Sequence, residues 1–225
     1  MGYILNIDTA GKNCSVALGK NGELVSWKEL ESEQYVHSEK LHLFIAEVLE
    51  GGGIKASDLA AIAVVSGPGS YTGLRIGVSA AKGMAYSLSV PLIAISSLES
   101  LCLSARKNGV KGNLCPMIDA RRMEVYTLVT NSEDEVVEEI AAVVVGQGFQ
   151  LKYEDIGFSY FGDGAKKCAE TISSNFRLVD GISLSAKNIV GKSYQKYLAH
   201  DKVDVAYFEP EYLKNFVAGL PKKLF

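Results

Sequence analysis

Two short, almost wholly apolar runs constrain the fold of this chain more than any other feature. "LAAIAVVS" (Leu59–Ser66) and "VPLIAIS" (Val90–Ser96) lack the alternation of a half-exposed strand, which is typical of parallel strands buried on both faces. The segment between them, from about Thr72 to Ser87, is predicted to be a helix. A strand, a helix and a second parallel strand make the crossover unit of α/β proteins. The sequence therefore predicts an α/β fold.

The chain opens with the pattern of a three-stranded meander. "YILNID" (Tyr3–Asp8) comes first, and the segments Cys14–Lys20 and Glu23–Leu30 follow it. Asn21-Gly22 separates these two segments, and Asn-Gly is the strongest short signal for a hairpin turn. We therefore expect three antiparallel strands before the first helix.

The segment "HSEKLHLFIAEVLEGGG" has the spacing of an amphipathic helix. Ser38 is the predicted N-cap, and the run Gly51–Gly53 is expected to end the helix. The apolar residues recur at i, i+3, i+4 and i+7, and they are Leu41, Phe44, Ile45 and Val48. The first half of the chain therefore has the order β-β-β-α-β-α-β.

The second half of the chain partly repeats the first. "NLCPMIDARRMEVYTLVTNSEDEVVEEIAAV" is predicted to form three strands, with Ile118-Asp119-Ala120 in the place that Ile7-Asp8-Thr9 holds in the opening meander. "SYFGDGAKK" predicts a short strand, a glycine-rich turn and a helix that begins near Ala165. The short strand "FRLVD" and a helix from about Ser185 to His200 complete the repeat.

A repeated β-β-β-α-β-α unit is the plan of the actin-like and sugar-kinase (ASKHA) fold, in which two ribonuclease-H-like lobes enclose a cleft. We therefore expect an α/β protein of two such lobes. The boundary is expected between Ser96 and Asn113, on the predicted helix "SLESLCLSARKNG". We place the first lobe at residues 1–105 and the second at residues 106–225, whose last segment can pack back on the first lobe.

Composition and charge exclude several classes of protein. The chain has 225 residues and a net charge of −3, which argues against a protein whose whole surface clamps nucleic acid. No apolar run reaches the ~20 residues of a membrane span, and "MGYILNIDTA" lacks the basic start of a signal peptide. The cysteines are far apart and form no Cys-x-x-Cys pair. We therefore expect a cytoplasmic location, reduced thiols and no membrane contact.

The glycine-rich stretch "SGPGSYTGLRIG" (Ser66–Gly77) lies where a nucleotide-binding protein has its phosphate loop. A P-loop requires Gly-Lys at its end, but Gly73 is followed by Leu74. A dinucleotide fingerprint that begins at Gly67 requires glycine where Thr72 stands. Both motifs are therefore excluded, although the N-terminus of the following helix can still hold an anion.

Small residues recur every four positions along the helix that follows, and they are Gly73, Gly77, Ala81 and Ala85. Such a stripe lets another backbone approach closely, and glycine within a helix lowers its stability unless a contact compensates for it. The stripe can pack on the protein's own sheet or neighbouring helix, or it can seat a helix of another chain. The residues leave both interpretations open.

Three elements have the order of the nucleotide site in an actin-like ATPase. Asp8 closes the first strand, where such enzymes have the aspartate that organises a metal-bound nucleotide, and Thr9 begins the turn. Asp119 and "FGDGA" (Phe161–Ala165) lie where the second phosphate and nucleoside elements would follow. An isolated aspartate at a strand end is more often a turn residue. The pattern therefore indicates nucleotide-site ancestry without indicating a working site.

His37 and His42 do not have the spacing of a metal site. Two ligands on one helical face need i,i+4 spacing, but Leu41 occupies the position four residues after His37. We therefore predict no metal in this chain.

Seven segments in order along the chain carry a family resemblance: "ILNIDTAGKNCSVAL", "VHSEKL", "GPGSYTGLRIGVSAAKGMA", "VPLIAISSLESL", "IDARRMEVY", "FGDGA" and "PEYLK". Together they resemble the TsaB family, the bacterial accessory subunits for threonylcarbamoyl modification of tRNA. The resemblance runs from Ile4 to about Lys214, a position where Arg is common in the family and an anion contact is in question.

The resemblance implies a non-catalytic scaffold. Its expected partners are TsaD, the catalytic subunit with which it forms a heterodimer, and the ATPase TsaE. The complex forms N6-threonylcarbamoyladenosine next to the anticodon of tRNAs that read ANN codons. ATP is used by the wider complex, no cofactor is required by this chain, and tRNA is reached only through the complex. In isolation the chain is expected to form a homodimer.

The resemblance also implies two sets of site residues. Helices of the first lobe are expected to pack on the equivalent helices of TsaD through Leu41, Ile45, Gly73, Ile76, Gly77, Ala80, Ala81 and Met84. A degenerate nucleotide cleft is expected at Asp8, Thr9, Asp119, Gly162, Asp163 and Gly164. On this interpretation, a Gly77→Leu change disrupts the heterodimer and leaves the isolated fold intact.

Two other functions stay open. A stand-alone ATP-binding protein or kinase of the actin-like fold is motivated by Asp8, Asp119 and Gly162-Asp163-Gly164. A metallopeptidase is motivated by the glycoprotease label that the superfamily has carried, although the histidine pair of such a site is absent from the sequence.

Overall fold

A computed structural model describes residues 2–32, 36–146, 149, 152–173 and 175–213. Lys214, at which an anion contact was in question, lies outside these residues. The elements of the first half are β1 (Tyr3–Asp8), β2 (Asn13–Lys20), β3 (Glu23–Glu31), α1 (His37–Gly51), β4 (Leu59–Gly67), α2 (Tyr71–Leu88), β5 (Leu92–Ser96) and α3 (Ser97–Lys107). Those of the second half are β6 (Leu114–Asp119), β7 (Glu124–Thr130), β8 (Val136–Val144), β9 (Ser159–Phe161), β10 (Arg177–Leu178) and α4 (Val190–Leu198).

The two halves form two five-stranded sheets with the same strand order. The first sheet runs β3-β2-β1-β4-β5, and the second, taken from its opposite edge, runs β8-β7-β6-β9-β10. In each sheet the first three strands of the lobe are antiparallel, and the fourth pairs in parallel with the first. The predicted two-lobed α/β fold with an internal repeat is therefore confirmed.

Helices cover both faces of the first sheet, because its central strands are apolar on both sides. Ile62 and Val64 of β4 pack with α1 and α2, whereas Ala61, Ala63 and Val65 pack with α3 and with the residues before α4. The apolar cluster that contains Ala61, Ala63 and Val65 also includes buried side chains of β6, β7 and β9. Helix α3 therefore lies between the two sheets, and the lobes share one continuous apolar core.

Local signals set most element ends. The β2–β3 hairpin turns at Asn21 and Gly22, whose φ angles of 54° and 87° are positive, as the Asn-Gly signal predicts. Helix α1 ends at Gly51, as expected. The predicted N-cap Ser38 is wrong, since the helix already begins at His37 with Val36 at the cap and no side-chain cap bond.

Two predicted helices of the second lobe are shorter than their sequence pattern. The segment near Ala165 forms one 3-10 turn, Lys166–Cys168, and the last helix begins at Val190 rather than near Ser185. The Ser185 hydroxyl instead donates to the Glu29 carboxylate on β3 at 2.6 Å. This tertiary contact occupies the residues that would have made the first helical turn.

The C-terminal segment returns to the first lobe. Val203 forms a bridge with Leu92, and the Glu211 amide donates to the Ser66 carbonyl at 2.9 Å. Tyr212 packs against Tyr71 at the start of α2, with 5.1 Å between ring centroids. The boundary placed after residue 105 falls inside α3 and stays a prediction. Within the described ranges, no helix has the length and apolar character needed to cross a membrane.

Candidate functional site

The β1–β2 turn is packed against the start of α2. The Thr9 hydroxyl donates to the Gly73 carbonyl at 2.7 Å, and the Ser70 amide donates to the Ala10 carbonyl at 2.7 Å. The imidazole Nε2 of His37 lies 3.0 Å from the Gly11 carbonyl. In an actin-like ATPase this turn offers its backbone to phosphate. Here the carbonyl groups of Ala10 and Gly11 contact other parts of the same chain.

Asp8 is wholly buried at the end of β1. Its Oδ1 accepts the Ala10 amide at 3.1 Å, and its Oδ2 has no hydrogen-bond partner among the described residues. Burial raises the pKa of this carboxyl to about 7, with a smaller contribution from the charge of Glu29 that opposes the lowering by the Ala10 bond. The side chain is therefore close to half protonated at neutral pH, unlike the ionised aspartate that binds a nucleotide-bound metal.

The second lobe repeats the Asp8 turn with Asp119. Its Oδ1 accepts the Arg121 amide at 2.8 Å, the same i+2 bond that Asp8 makes, and it also pairs with the Lys167 ammonium. The Asp163 carboxylate accepts the Asp119 amide at 3.0 Å. The structure therefore brings Asp119 and Asp163 together, while the hydrogen bonds of Asp8 and Thr9 form a separate set.

The glycines of "FGDGA" are needed because the loop lies on the end of β6. Gly162 has a φ of 103°, and a Cβ added there would lie 2.4 Å from the Met117 carbonyl oxygen. The Gly164 amide donates to that same carbonyl at 3.0 Å. Gly162 and Gly164 thus have a packing role that their position in the sequence motif alone does not reveal.

The small-residue stripe of α2 faces inward. Gly73, Gly77, Ala81 and Ala85 are all buried within this chain. A Cβ added at Gly73 would lie 2.1 Å from the Thr9 carbonyl oxygen, and one added at Gly77 would lie 2.2 Å from Thr9 Oγ1. Of the two interpretations left open, packing within the chain is therefore correct for these positions.

Five of the eight predicted interface residues are buried in this chain: Leu41, Ile45, Gly73, Gly77 and Ala81. The predicted interface itself stays a prediction. The same geometry contradicts the expectation that Gly77→Leu leaves the isolated fold intact. Ile76, Ala80 and Met84 are partly exposed at the edge of the core cluster and stay candidates.

The opposite side of α2 carries a second row of small, uncharged residues that the sequence prediction missed. We call Thr72, Ile76, Ser79, Gly83 and Ser87 the outer α2 face. Apart from the partly buried Ile76 these residues are exposed, and a Cβ added at Gly83 would meet nothing within 4 Å. Their i, i+4, i+7, i+11 and i+15 spacing was the available signal, although Arg75 and Tyr86 are also exposed on α2.

The histidines do not assemble a metal site. In the described part of the chain, no three His, Cys, Asp or Glu side chains lie together as metal ligands would. His37 is buried beside Gly73, where burial lowers its pKa, and His42 is exposed on the other side of α1.

Comparison with known proteins assigns the chain to a family. The family model for TsaD, tRNA N6-adenosine threonylcarbamoyltransferase, matches residues 31–207. The tRNA threonylcarbamoyladenosine biosynthesis protein TsaB of Escherichia coli (strain K12) is 32% identical over 224 residues, which cover 96% of each chain. TsaB of Bacillus subtilis (strain 168) is 30% identical over 94% of this chain and 93% of its own. The chain belongs to the TsaB family.

Length separates the TsaB relatives from the TsaD relatives. The tRNA N6-adenosine threonylcarbamoyltransferase of Bacillus subtilis (strain 168) is 27% identical to this chain, but the match covers only 56% of that protein. A crystal structure from Pseudomonas aeruginosa, described as similar to the peptidase YeaZ, superposes with a TM-score of 0.85 at 24% identity and covers 95% of this chain. TsaB and TsaD therefore share sequence features, and the TsaB relatives match this chain in length.

Proposed function

We propose that this chain is a non-catalytic scaffold subunit that pairs with TsaD. In this role it supports formation of N6-threonylcarbamoyladenosine next to the anticodon of tRNAs that read ANN codons. The name that the TsaB relatives carry, tRNA threonylcarbamoyladenosine biosynthesis protein, supports the pathway. TsaE is a further partner, ATP is used by the wider complex, and this chain needs no cofactor of its own.

The observation that carries the pairing is the outer α2 face. A solvent-facing side of a surface helix is normally rich in charge. Arg75 is the fully exposed charge on this side of α2, and the row that forms the outer α2 face holds only Thr, Ile, Ser and Gly. Ile76, Ala80 and Met84 add partly exposed apolar surface beside it. Small side chains let a second helix approach closely, and the open space around Gly83 marks the point of closest approach.

The family relation to TsaD also supports the outer α2 face as the interface. The TsaD family model covers residues 31–207, which include both α1 and α2. Two chains of related fold can pair through equivalent helices about a pseudo-twofold axis, as the subunits of a homodimer do. The same geometry lets two copies of this chain pair when TsaD is absent. A homodimer is therefore the expected state of the isolated chain.

The cleft supports a role without catalysis. The backbone of the β1–β2 turn is bonded to α2 and α1, and Asp119 is paired with Lys167. The Ala10 and Gly11 carbonyls of the first turn and the Asp119 carboxylate of the second are thus engaged within the chain.

Gly83→Leu tests the proposed interface. The added side chain blocks helix approach but meets nothing in the isolated chain, so we expect at least about tenfold weaker pairing with TsaD and no loss of stability, because leucine favours helix over glycine. Gly146→Leu in the second lobe is the matched control, since Gly146 also has open space around it. Pairing is measured by native mass spectrometry and by titration. If Gly83→Leu pairs as tightly as Gly146→Leu, the outer α2 face is not the interface.

A further inference from the structure

The turn between β6 and β7 holds two consecutive arginines in left-handed backbone. Arg121 has a φ of 72° and Arg122 a φ of 49°. Residues other than glycine, asparagine and aspartate seldom adopt this conformation, because the Cβ crowds the backbone. The β2–β3 turn of the same molecule meets a similar requirement with Asn21 and Gly22. Arginine is therefore unfavourable at these two positions, because their φ angles are positive.

Contacts within the chain do not explain the two arginines. Both side chains are exposed, and within the described residues neither guanidinium forms a hydrogen bond or an ion pair. The nearby acids are already engaged, since Asp119 pairs with Lys167 and Asp163 accepts the Asp119 amide. Strained residues that the fold itself does not need are characteristic of functional sites.

Two lysines, each paired with a carboxylate, accompany this turn. The Lys167 ammonium donates to the Glu124 carbonyl at 2.7 Å, which holds it against the turn, and the adjacent Lys166 side chain is 80% exposed. Lys166 also pairs with Asp180 at 3.6 Å and Lys167 with Asp119, so Arg121 and Arg122 are the two of these four cations without an ion-pair partner among the described residues. We name these four residues the basic turn.

We propose that Arg121 and Arg122 of the basic turn contact backbone phosphates of the tRNA substrate. The inference rests on the proposed function, and it goes beyond the sequence-based expectation that tRNA is reached only through the complex. A planar guanidinium matches the geometry of phosphate oxygens, and such contacts position a nucleic acid without reading its sequence. Exposed arginines without internal partners suit a phosphate better than a base edge, which requires a groove-fitting element.

The test separates a binding role from a structural one, because the two predict opposite effects on stability. Arg121→Asn combined with Arg122→Gly relieves the backbone, so we expect its melting temperature to rise by about 2–4 °C. The same double variant loses two phosphate contacts, so its complex with TsaD is expected to bind a fluorescent tRNA anticodon stem-loop about tenfold more weakly. The dependence of log affinity on log salt concentration falls by about one per lost contact.

Two control variants isolate the cause. Lys111→Asn combined with Arg177→Asn removes the same charge from exposed residues elsewhere, and it is expected to leave the affinity near that of wild type. Arg121→Lys combined with Arg122→Lys keeps the charge but not the guanidinium geometry, so an intermediate affinity is expected.

The outcomes distinguish this inference from the proposed function. If the Asn-Gly variant binds RNA as tightly as wild type, or no more weakly than the Lys111/Arg177 variant, the inference is overturned. If the Asn-Gly variant loses TsaD or TsaE but keeps its RNA affinity, the basic turn contacts an acidic protein surface and the inference is again overturned. If the wild-type complex binds no RNA at all, both the inference and the proposed function fail.

Discussion

At the scale of single residues, Asp8 is the group whose chemistry the fold changes most. The carboxyl has lost its water to burial, and only one of its oxygens accepts a hydrogen bond among the described residues. Its pKa is raised from the ordinary 3.8 to about 7. Because the folded chain holds this proton more tightly than the unfolded chain, Asp8 contributes stability at low pH that is lost as the pH rises toward 7.

Asp8→Asn is expected to remove this pH dependence. Asparagine keeps the oxygen that accepts the Ala10 amide and carries no charge, so the variant gains stability relative to wild type as the pH rises from about 4 to about 7. Three pKa units correspond to about 4 kcal/mol, an upper bound on the gain above pH 7. Urea unfolding of both proteins at pH 5 and pH 8 measures the difference. An equal free-energy difference at the two pH values would contradict the buried, proton-binding state of Asp8.

The residue scale also shows where sequence prediction succeeds and fails. Asp8 and Asp119 end equivalent strands, as the repeated pattern predicted, and they make the same i+2 hydrogen bond. The pKa of Asp8 is raised by its complete burial and by the charge of Glu29, which lies on a different strand. The sequence pattern therefore predicts where such an aspartate lies. It does not predict its pKa, because the pKa depends on tertiary packing.

At the scale of elements, α2 has small residues on two faces, and the two faces have different roles. The inner stripe admits the β1–β2 turn, and the outer α2 face is the surface proposed for a partner helix. The spacing predicted close approach correctly but left open what approaches, because Gly and Ala give little hydrophobic contrast between the two faces. The family resemblance assigned these residues to a partner chain, whereas Gly73 and Gly77 lie against Thr9 of the same chain. Where contrast was strong, as at Leu41, Ile45 and Val48 of α1, the buried face matched the pattern.

A matched pair of alanine substitutions separates the two faces of α2. Gly77→Ala places a Cβ 2.2 Å from Thr9 Oγ1, so the Thr9–Gly73 hydrogen bond must shift and we expect a loss of about 1–3 kcal/mol in the free energy of unfolding. Gly83→Ala meets nothing and is expected to gain about 0.5–1 kcal/mol from helix propensity. Denaturant unfolding of both variants gives the comparison. Equal stabilities would show that α2 does not approach the turn as closely as described.

Element ends were predictable where a local residue fixed them. Asn21-Gly22 turned the first hairpin and Gly51 ended α1, because positive φ and helix termination are local requirements. The start of the last helix was not predictable, since the contact of Ser185 with Glu29 joins residues 156 positions apart.

At the scale of the whole molecule, the two lobes have kept one strand order and diverged in their connections. Helix α3 lies between the sheets and ties both lobes into one core, while α4 and the segment after it return to the first lobe. This leaves α1 and α2 as the helical layer that no second sheet covers. The proposed function therefore requires that the layer formed by α1 and α2 binds another chain.

The most direct measurement is a threonylcarbamoyl-transfer assay with tRNA, ATP, threonine, bicarbonate and the other subunits, run with this chain present, omitted and added back. The account predicts that modification collapses on omission, returns when the wild-type chain is added, and returns with Gly146→Leu but only weakly with Gly83→Leu. Full modification in the absence of this chain would contradict the proposed scaffold role.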